Sequence, residues 1–264
     1  MARWFFAGRL TTSPLRGRPR GILIRMVADF SGQVALIAGG TGGLGRAVCL
    51  AFLQAGARVA VPFHHAQEFA ELERAAGEQA ARLKGMAADV TDPHAARGVV
   101  ETVLDEWGRL DAVVNTVGGY AGGIPLWETT AETFERMVDL NLRTGYALAR
   151  AAVPAMLERK SGVIVNVAAR AAVDHAAGAS AYAATKAGAV ALMDSLAADL
   201  KGTGVRVNSI LPSIIDTEAN RKAMPTADFA KWPKPEAIAR VILFLCSEDA
   251  AVVHGAAIPV YGND

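Results

Sequence analysis

The stretch Val34-Ala-Leu-Ile-Ala38-Gly39-Gly40-Thr41-Gly42-Gly43-Leu44-Gly45 decides the fold. Its first five residues are all apolar and do not alternate with polar ones, which is the pattern of a strand buried on both faces. Gly39, Gly43 and Gly45 follow, and from Ala47 to Ala55 the apolar residues take helical spacing. Glycines between a strand and a helix permit a tight turn and let a pyrophosphate approach the backbone amides at the helix start. A glycine trio in isolation carries little weight. Between the strand and helix of a βαβ unit it points to dinucleotide binding.

The pattern continues outward. Arg58 to Val61, Gly85 to Ala88, Asp111 to Asn115, Gly162 to Val167, Val205 to Leu211 and Ala256 to Val260 are further short apolar runs. Helical patterns separate them: Glu68 to Leu83, Asp92 to Trp107, Thr130 to Leu157, Ser180 to Leu200 and Pro235 to Leu245. Asp92-Pro93 supplies an N-cap and a first-turn proline, Thr130-x-x-Thr133 a weaker cap, and Ser180 a cap for the helix it opens. Strands alternating with crossover-length helices predict an α/β fold: a Rossmann-type, doubly wound parallel sheet in three α/β/α layers. A chain of 264 residues that is 52% hydrophobic has enough for one such domain, expected at 29–264. The stretch Pro212 to Pro235 holds four of the 11 prolines and shows no periodicity, so it is expected to be a substrate lid.

Composition narrows the function. A net charge of +1 provides no field for nucleic acid, and no apolar run approaches the roughly 20 residues that span a bilayer. Cys49 and Cys246 sit in apolar helical patterns and have neither disulfide nor zinc spacing, which suits core packing in a reducing cytoplasm. The first 28 residues carry Arg3, Arg9, Arg16, Arg18, Arg20 and Arg25 with no acid before Asp29. This segment is read as a disordered basic extension, with Met26 as an alternative start, in preference to an organelle-targeting segment.

Tyr182 and Lys186 stand one helical turn apart in Tyr-Ala-Ala-Thr-Lys, so both point from one face. An ammonium beside a phenol is expected to lower the phenol's pKa toward neutrality and equip it for proton transfer.

Taken in order, these motifs resemble the short-chain dehydrogenase/reductase family over roughly Asp29 to Gly262, with Ala38 in place of the usual threonine before the glycines. The resemblance implies an NAD(P)H-dependent oxidoreductase. Its cofactor-binding residues would be Gly39, Thr41, Gly43, Leu44 and Gly45 in the glycine loop, then Phe63 and His64 after the second strand. Asp89 and Val90 would lie at the adenine, followed by Asn115, Val117 and Gly118, and then Pro212, Ile215 and Thr217, joined by Tyr182 and Lys186. Tyr182 would act as acid/base, Lys186 would tune it, and Asn141 would hold a water in the proton relay. Phe63 stands where an NAD-selective acid is expected, so no carboxylate repels a 2′-phosphate there and NADP is favoured over NAD. No metal is expected. The long alanine-rich helices suit burial against a partner chain, as a homodimer or homotetramer.

Ala169 occupies the position of the family's serine, which polarises the substrate carbonyl. Thr116 and Tyr120 are hydroxyls available to replace it. Gly118-Gly119-Tyr120-Ala121-Gly122-Gly123, the segment Ala169 to Asp174 and the segment Asp216 to Trp232 resemble dihydropteridine reductases, which also carry alanine there. That resemblance implies a planar pterin-like or quinonoid substrate touching Tyr120, Ala169, Asn220, Arg221 and Trp232. The competing view makes Asn220, Arg221 and Lys222 solvated or capping residues and Trp232 a packing anchor. The alternative activity is carbonyl reduction or alcohol dehydrogenation of the 3-oxoacyl-[acyl-carrier-protein] reductase type. A cofactor-binding regulator that has lost catalysis is a third class, opposed by the intact Tyr182, Lys186 and Asn141.

Overall fold

The computed structural model describes residues 28–263. The basic extension expected at 1–28 therefore lies outside the described residues, except for Ala28. Seven parallel strands form one sheet: β1 (Val34–Ala38), β2 (Arg58–Phe63), β3 (Leu83–Ala87), β4 (Ala112–Asn115), β5 (Gly162–Val167), β6 (Val205–Pro212) and β7 (Ala256–Val260). Their spatial order is β3-β2-β1-β4-β5-β6-β7. The order reverses between β1 and β4, so the loops leaving these two strands diverge and open a crevice at the carboxyl ends.

Helices cover both faces. On one face α1 (Gly43–Gln54), α2 (Ala66–Ala76) and α8 (Pro235–Cys246) bury Phe52, Leu53, Leu72 and Ile242 against the sheet. On the other, α3 (Pro93–Trp107), α5 (Thr144–Arg159) and α6 (Ser180–Asp199) bury Val103, Leu148, Met156 and Met193. The expected three-layer α/β/α arrangement is the one observed. Asp92 caps α3 through the His94 amide, and Thr130 caps α4 (Ala131–Val138) through the Thr133 amide.

Four local expectations need correction. The helix expected from Thr130 to Leu157 is two helices, α4 and α5, joined by a π-turn over Asp139–Arg143. A π-turn keeps the chain coiled through i→i+5 bonds with ordinary helix-forming residues, so the segment reads in sequence as one continuous helix. The helix expected from Glu68 to Leu83 stops at Ala76, because Gly77 takes φ 55° and a 3₁₀ turn follows. Ser180 is the first residue of α6 rather than its cap; Ala179 precedes it and no side chain caps that end. The stretch from Pro212 to Pro235 contains a short helix, α7 (Glu218–Ala223), and a 3₁₀ turn at Phe229–Lys231.

A buried ionic knot holds the amino ends of the central strands. Asp111, only 9% exposed, accepts the Val34 amide at 2.8 Å, two bonds from Arg109 and one from Arg159. Burial pushes its carboxyl upward, but the bonds from Arg109, Val34 and Arg159 outweigh burial and hold it below the ordinary carboxylate range. The ionised form is therefore favoured by folding, and its contribution is present at neutral pH and lost as pH falls through the lowered value. Asp111→Asn should cost about 2 kcal/mol at pH 7, less than a fully buried pair because the two arginines are partly exposed. Urea unfolding at pH 7 and under acid conditions should show that difference shrinking on acidification.

Candidate active site

The crevice is built by the loops leaving the carboxyl ends of the strands. At its centre the loop after β1 turns through Gly39, whose φ of 75° favours glycine. The loop enters α1 at Gly42, which provides no side-chain cap, and the first turn of α1 contains no acid. The leading amides of α1 are thus left for an anionic ligand, and a helix start favours negative charge. Thr217 leans over the loop: a β-carbon placed on Gly43 would stand 2.9 Å from Thr217 Cγ2. Glycine at 43 lets Thr217 lie this close to the helix N-terminus. This arrangement fits the pyrophosphate of a dinucleotide.

Toward β2 and β3, His64 Nε2 stands 3.7 Å from Asp89 Oδ1, and Asp89 Oδ1 also accepts the amide and hydroxyl of Thr91. Val90 is buried. Phe63 faces away from the crevice, with its ring stacked on Phe69 at 4.9 Å in the core, so strand alternation leaves the end of β2 without a polar side chain there. A carboxylate that the sequence reading missed arrives instead from α2: Thr41 Oγ1 donates to Glu68 Oε2 at 2.9 Å. A first-turn helical acid looks like ordinary helix chemistry in sequence, and only the packing of α2 beside the loop reveals it.

On the other side of the crevice lie the loop after β4 and the helix carrying Tyr182. Asn115 is buried; its amide donates to Thr144 and Asn166, and its oxygen accepts the Val117 amide. Its side chain shapes the loop instead of facing a cofactor. Val117 packs against the core under α3, α5 and α6, and Gly118 lies against Lys186 and Asn141. Asn141, placed by the π-turn, is likewise committed. Its Oδ1 accepts the Gly119 amide at 3.0 Å, while its Nδ2 donates to the Gly119 carbonyl at 3.0 Å and to Thr185 Oγ1 at 3.3 Å. This side chain pins loop to helix, where a water-holding role had been expected.

Tyr182 and Lys186 come together on α6 as expected, with Lys186 Nζ 6.0 Å from the centre of the Tyr182 ring. The ammonium, however, donates to the Val167 carbonyl at 3.1 Å. Burial pushes the Lys186 pKa down to about 8 and, with the neighbouring Tyr120 phenol adding to the effect, pushes Tyr182 up to about 12. The expected lowering of Tyr182 toward neutrality is therefore absent from the protein by itself. Desolvation outweighs a lysine aimed at a carbonyl, and the phenol is held as an acid.

Ala169 is buried at the end of β5 and provides no donor. Thr116 cannot replace it, since its hydroxyl donates to the Ala38 carbonyl at 2.8 Å. Tyr120 is 67% exposed, its ring meets Tyr182 edge-on at 5.0 Å, and its hydroxyl makes no hydrogen bond to any described residue.

Three expected substrate residues in the lid are otherwise engaged. Asn220 Nδ2 donates to the Ile215 carbonyl, and its amide is capped by Thr217. Arg221 holds Asp216 through two bonds and lies over Phe229 at 4.8 Å. Trp232 is buried against Phe229. Together they stiffen the stretch from Pro212 to Pro235 from within. Pro212 ends β6, and Ile215 packs against the core under α1, α2 and α8.

Among the described residues no group of three or more His, Cys, Asp or Glu could hold a metal, and no helix is long and apolar enough to cross a membrane.

Comparison with known proteins gives the same outline. A family model for short chain dehydrogenases matches residues 33–228. The chain is 33% identical over 249 residues to D-threitol dehydrogenase of Mycolicibacterium smegmatis, covering 89% of this chain and 94% of that one. It is 30% identical over 242 residues to the 3-oxoacyl-[acyl-carrier-protein] reductase FabG of Thermotoga maritima, covering 89% and 98%. A solved short-chain type dehydrogenase/reductase from Mycobacterium ulcerans superposes with a TM-score of 0.84 at 27% identity, covering 89% and 90%.

Holding Lys186 in this site has a measurable cost. Its folded pKa of about 8 lies below the ordinary 10.5, so the penalty is complete below pH 8 and is relieved as pH rises toward 10.5. The difference corresponds to roughly 3 kcal/mol, from which the lost bond to Val167 subtracts about 1 kcal/mol in a methionine variant. Lys186→Met should therefore stabilise the nucleotide-free protein by about 2 kcal/mol at pH 7 in urea unfolding, with the gain fading toward pH 10.5.

Proposed function

The chain belongs to the short chain dehydrogenase family, an NAD(P)-dependent oxidoreductase, and on that premise we propose that Tyr182 is the acid/base for its hydride transfer. The observation carrying this reading is the Tyr182–Lys186 pair on α6, with the lysine buried and lying against the Gly118 loop. The nicotinamide nucleotide, when bound, supplies or accepts the hydride. The amides at the start of α1 would hold its pyrophosphate, with Gly39, Thr41, Gly43, Leu44 and Gly45 forming the cradle and Thr217 closing over it. Asp89 and Val90 would line the adenine end, and Val117, Gly118, Pro212 and Ile215 the nicotinamide end. A phenol raised to about 12 remains protonated through neutral pH and suits proton donation to the reduced substrate. Lys186, charged below about pH 8, stabilises the phenolate left behind. Asn141 positions the Gly119 loop against α6.

The substrate is a small molecule with a carbonyl or alcohol group, a reading supported by the relatives' names. A second reading, an electrophilic pterin-like or quinonoid ring, is favoured by Ala169, because such a substrate needs a proton but little polarisation. Tyr120, free to stack and to donate, would contact either one. The lid residues Asn220, Arg221 and Trp232 support the second reading less than their sequence suggested, being engaged within the lid. The free, buried Cys49 and Cys246 are compatible with the cytoplasm. Phe134, Tyr146 and Leu157, exposed on α4 and α5, support a homodimer or homotetramer through that face.

Tyr182→Phe should lower turnover by about 10² to 10⁴ while nucleotide binding persists, as expected for loss of a general acid; full retained activity would exclude Tyr182 as the proton donor. A panel of acetoacetyl thioester, simple ketones, a sugar alcohol, a quinone and quinonoid dihydropterin separates the two substrate readings. Ala169→Ser should raise carbonyl reduction, by up to the 2 to 4 kcal/mol of an oxyanion donor, and leave dihydropterin reduction unimproved.

A further inference from the structure

The choice between the two nicotinamide nucleotides depends on the group that meets the adenosine ribose, and this inference rests on the cofactor reading above. With the pyrophosphate at the start of α1 and the adenine near Asp89, that ribose lies between Thr41 and the end of β2. Phe63, the last residue of β2, is turned into the core against Phe69. The polar groups left around the position are Thr41, His64, Glu68 and the Arg46–Glu71 pair.

Glu68 stands closest to the loop, bonded through Oε2 to Thr41 Oγ1 at 2.9 Å. That bond uses the one hydroxyl proton Thr41 has to offer a phosphate. Its Oε1 makes no hydrogen bond to any described residue and is available as an acceptor. Arg46, the nearest cation on α1, is held by Glu71 at 3.2 Å, and His64 is drawn toward Asp89. Three carboxylates thus face one committed guanidinium and one imidazole. A ribose 2′-hydroxyl can donate to Glu68, whereas a 2′-phosphate would place its charge against it without a free counter-cation.

We infer that Glu68, reaching in from α2, selects the unphosphorylated ribose, so the enzyme uses NAD(H) in preference to NADP(H). This reverses the expectation drawn from Phe63, because the selecting carboxylate comes from the helix after β2 and not from the strand itself.

The test is nucleotide binding, read by quenching of tryptophan fluorescence, with NADH and NADPH titrated separately. Wild-type protein should bind NADH at least tenfold more tightly than NADPH at low ionic strength, with the gap narrowing as salt is added. Glu68→Gln should bring the two Kd values to within about threefold, mainly through tighter NADPH binding. Glu68→Arg should reverse the order. Glu68 is exposed, so these substitutions spare the core. Tighter NADPH binding by wild type, or a preference unchanged in Glu68→Gln, would overturn the assignment while leaving the oxidoreductase reading intact. Failure of both nucleotides to bind wild type would overturn both.

Discussion

Asn141 is the contact on which the geometry of the site depends. Its amide grips Gly119 through both backbone groups and reaches Thr185, one residue before Lys186. One buried side chain thereby ties together the π-turn, the loop after β4 and α6. A buried amide with its donors and acceptor satisfied rigidifies its surroundings, whereas a partly satisfied one would be costly. The π-turn is part of the same device, since it places Asn141 toward the loop at the point where an uninterrupted helix would run past it.

A second constraint is desolvation. The same burial lowers Lys186 and raises Tyr182, so neither group is poised by the protein alone in the way a solvated Tyr–Lys pair would suggest. The pair starts as a protonated phenol beside a lysine that surrenders its charge near pH 8. That arrangement favours giving a proton over taking one. It also means that the site stores a cost in its lysine, as functional sites commonly do.

The stretch from Pro212 to Pro235 makes much of its structure from its own side chains. Asp216, Arg221, Phe229 and Trp232 form an internal scaffold, and Asn220 is used by the backbone it belongs to. Residues that resemble those of a pterin enzyme are here engaged within that segment itself. The gap at Ala169 is different, because Thr116 is committed elsewhere and Tyr120 is left as the unbonded hydroxyl beside Tyr182.

The sequence by itself determined the parallel sheet, its helical covers, the glycine loop and the Tyr182–Lys186 pair. These follow from local periodicity and from spacing along a single helix, which need no partner distant in the chain. Asn115, Asn220 and Arg221 are residue types that suit a ligand, but their side chains bond to other protein groups, and Phe63 packs on Phe69. Nor did the sequence indicate Glu68, 27 residues beyond Thr41 and ordinary for the first turn of a helix. Those contacts are set by tertiary packing. Whether a polar side chain faces the crevice or is spent within the fold depends on which way the strand or helix turns it, and on which groups from other elements arrive within hydrogen-bonding distance.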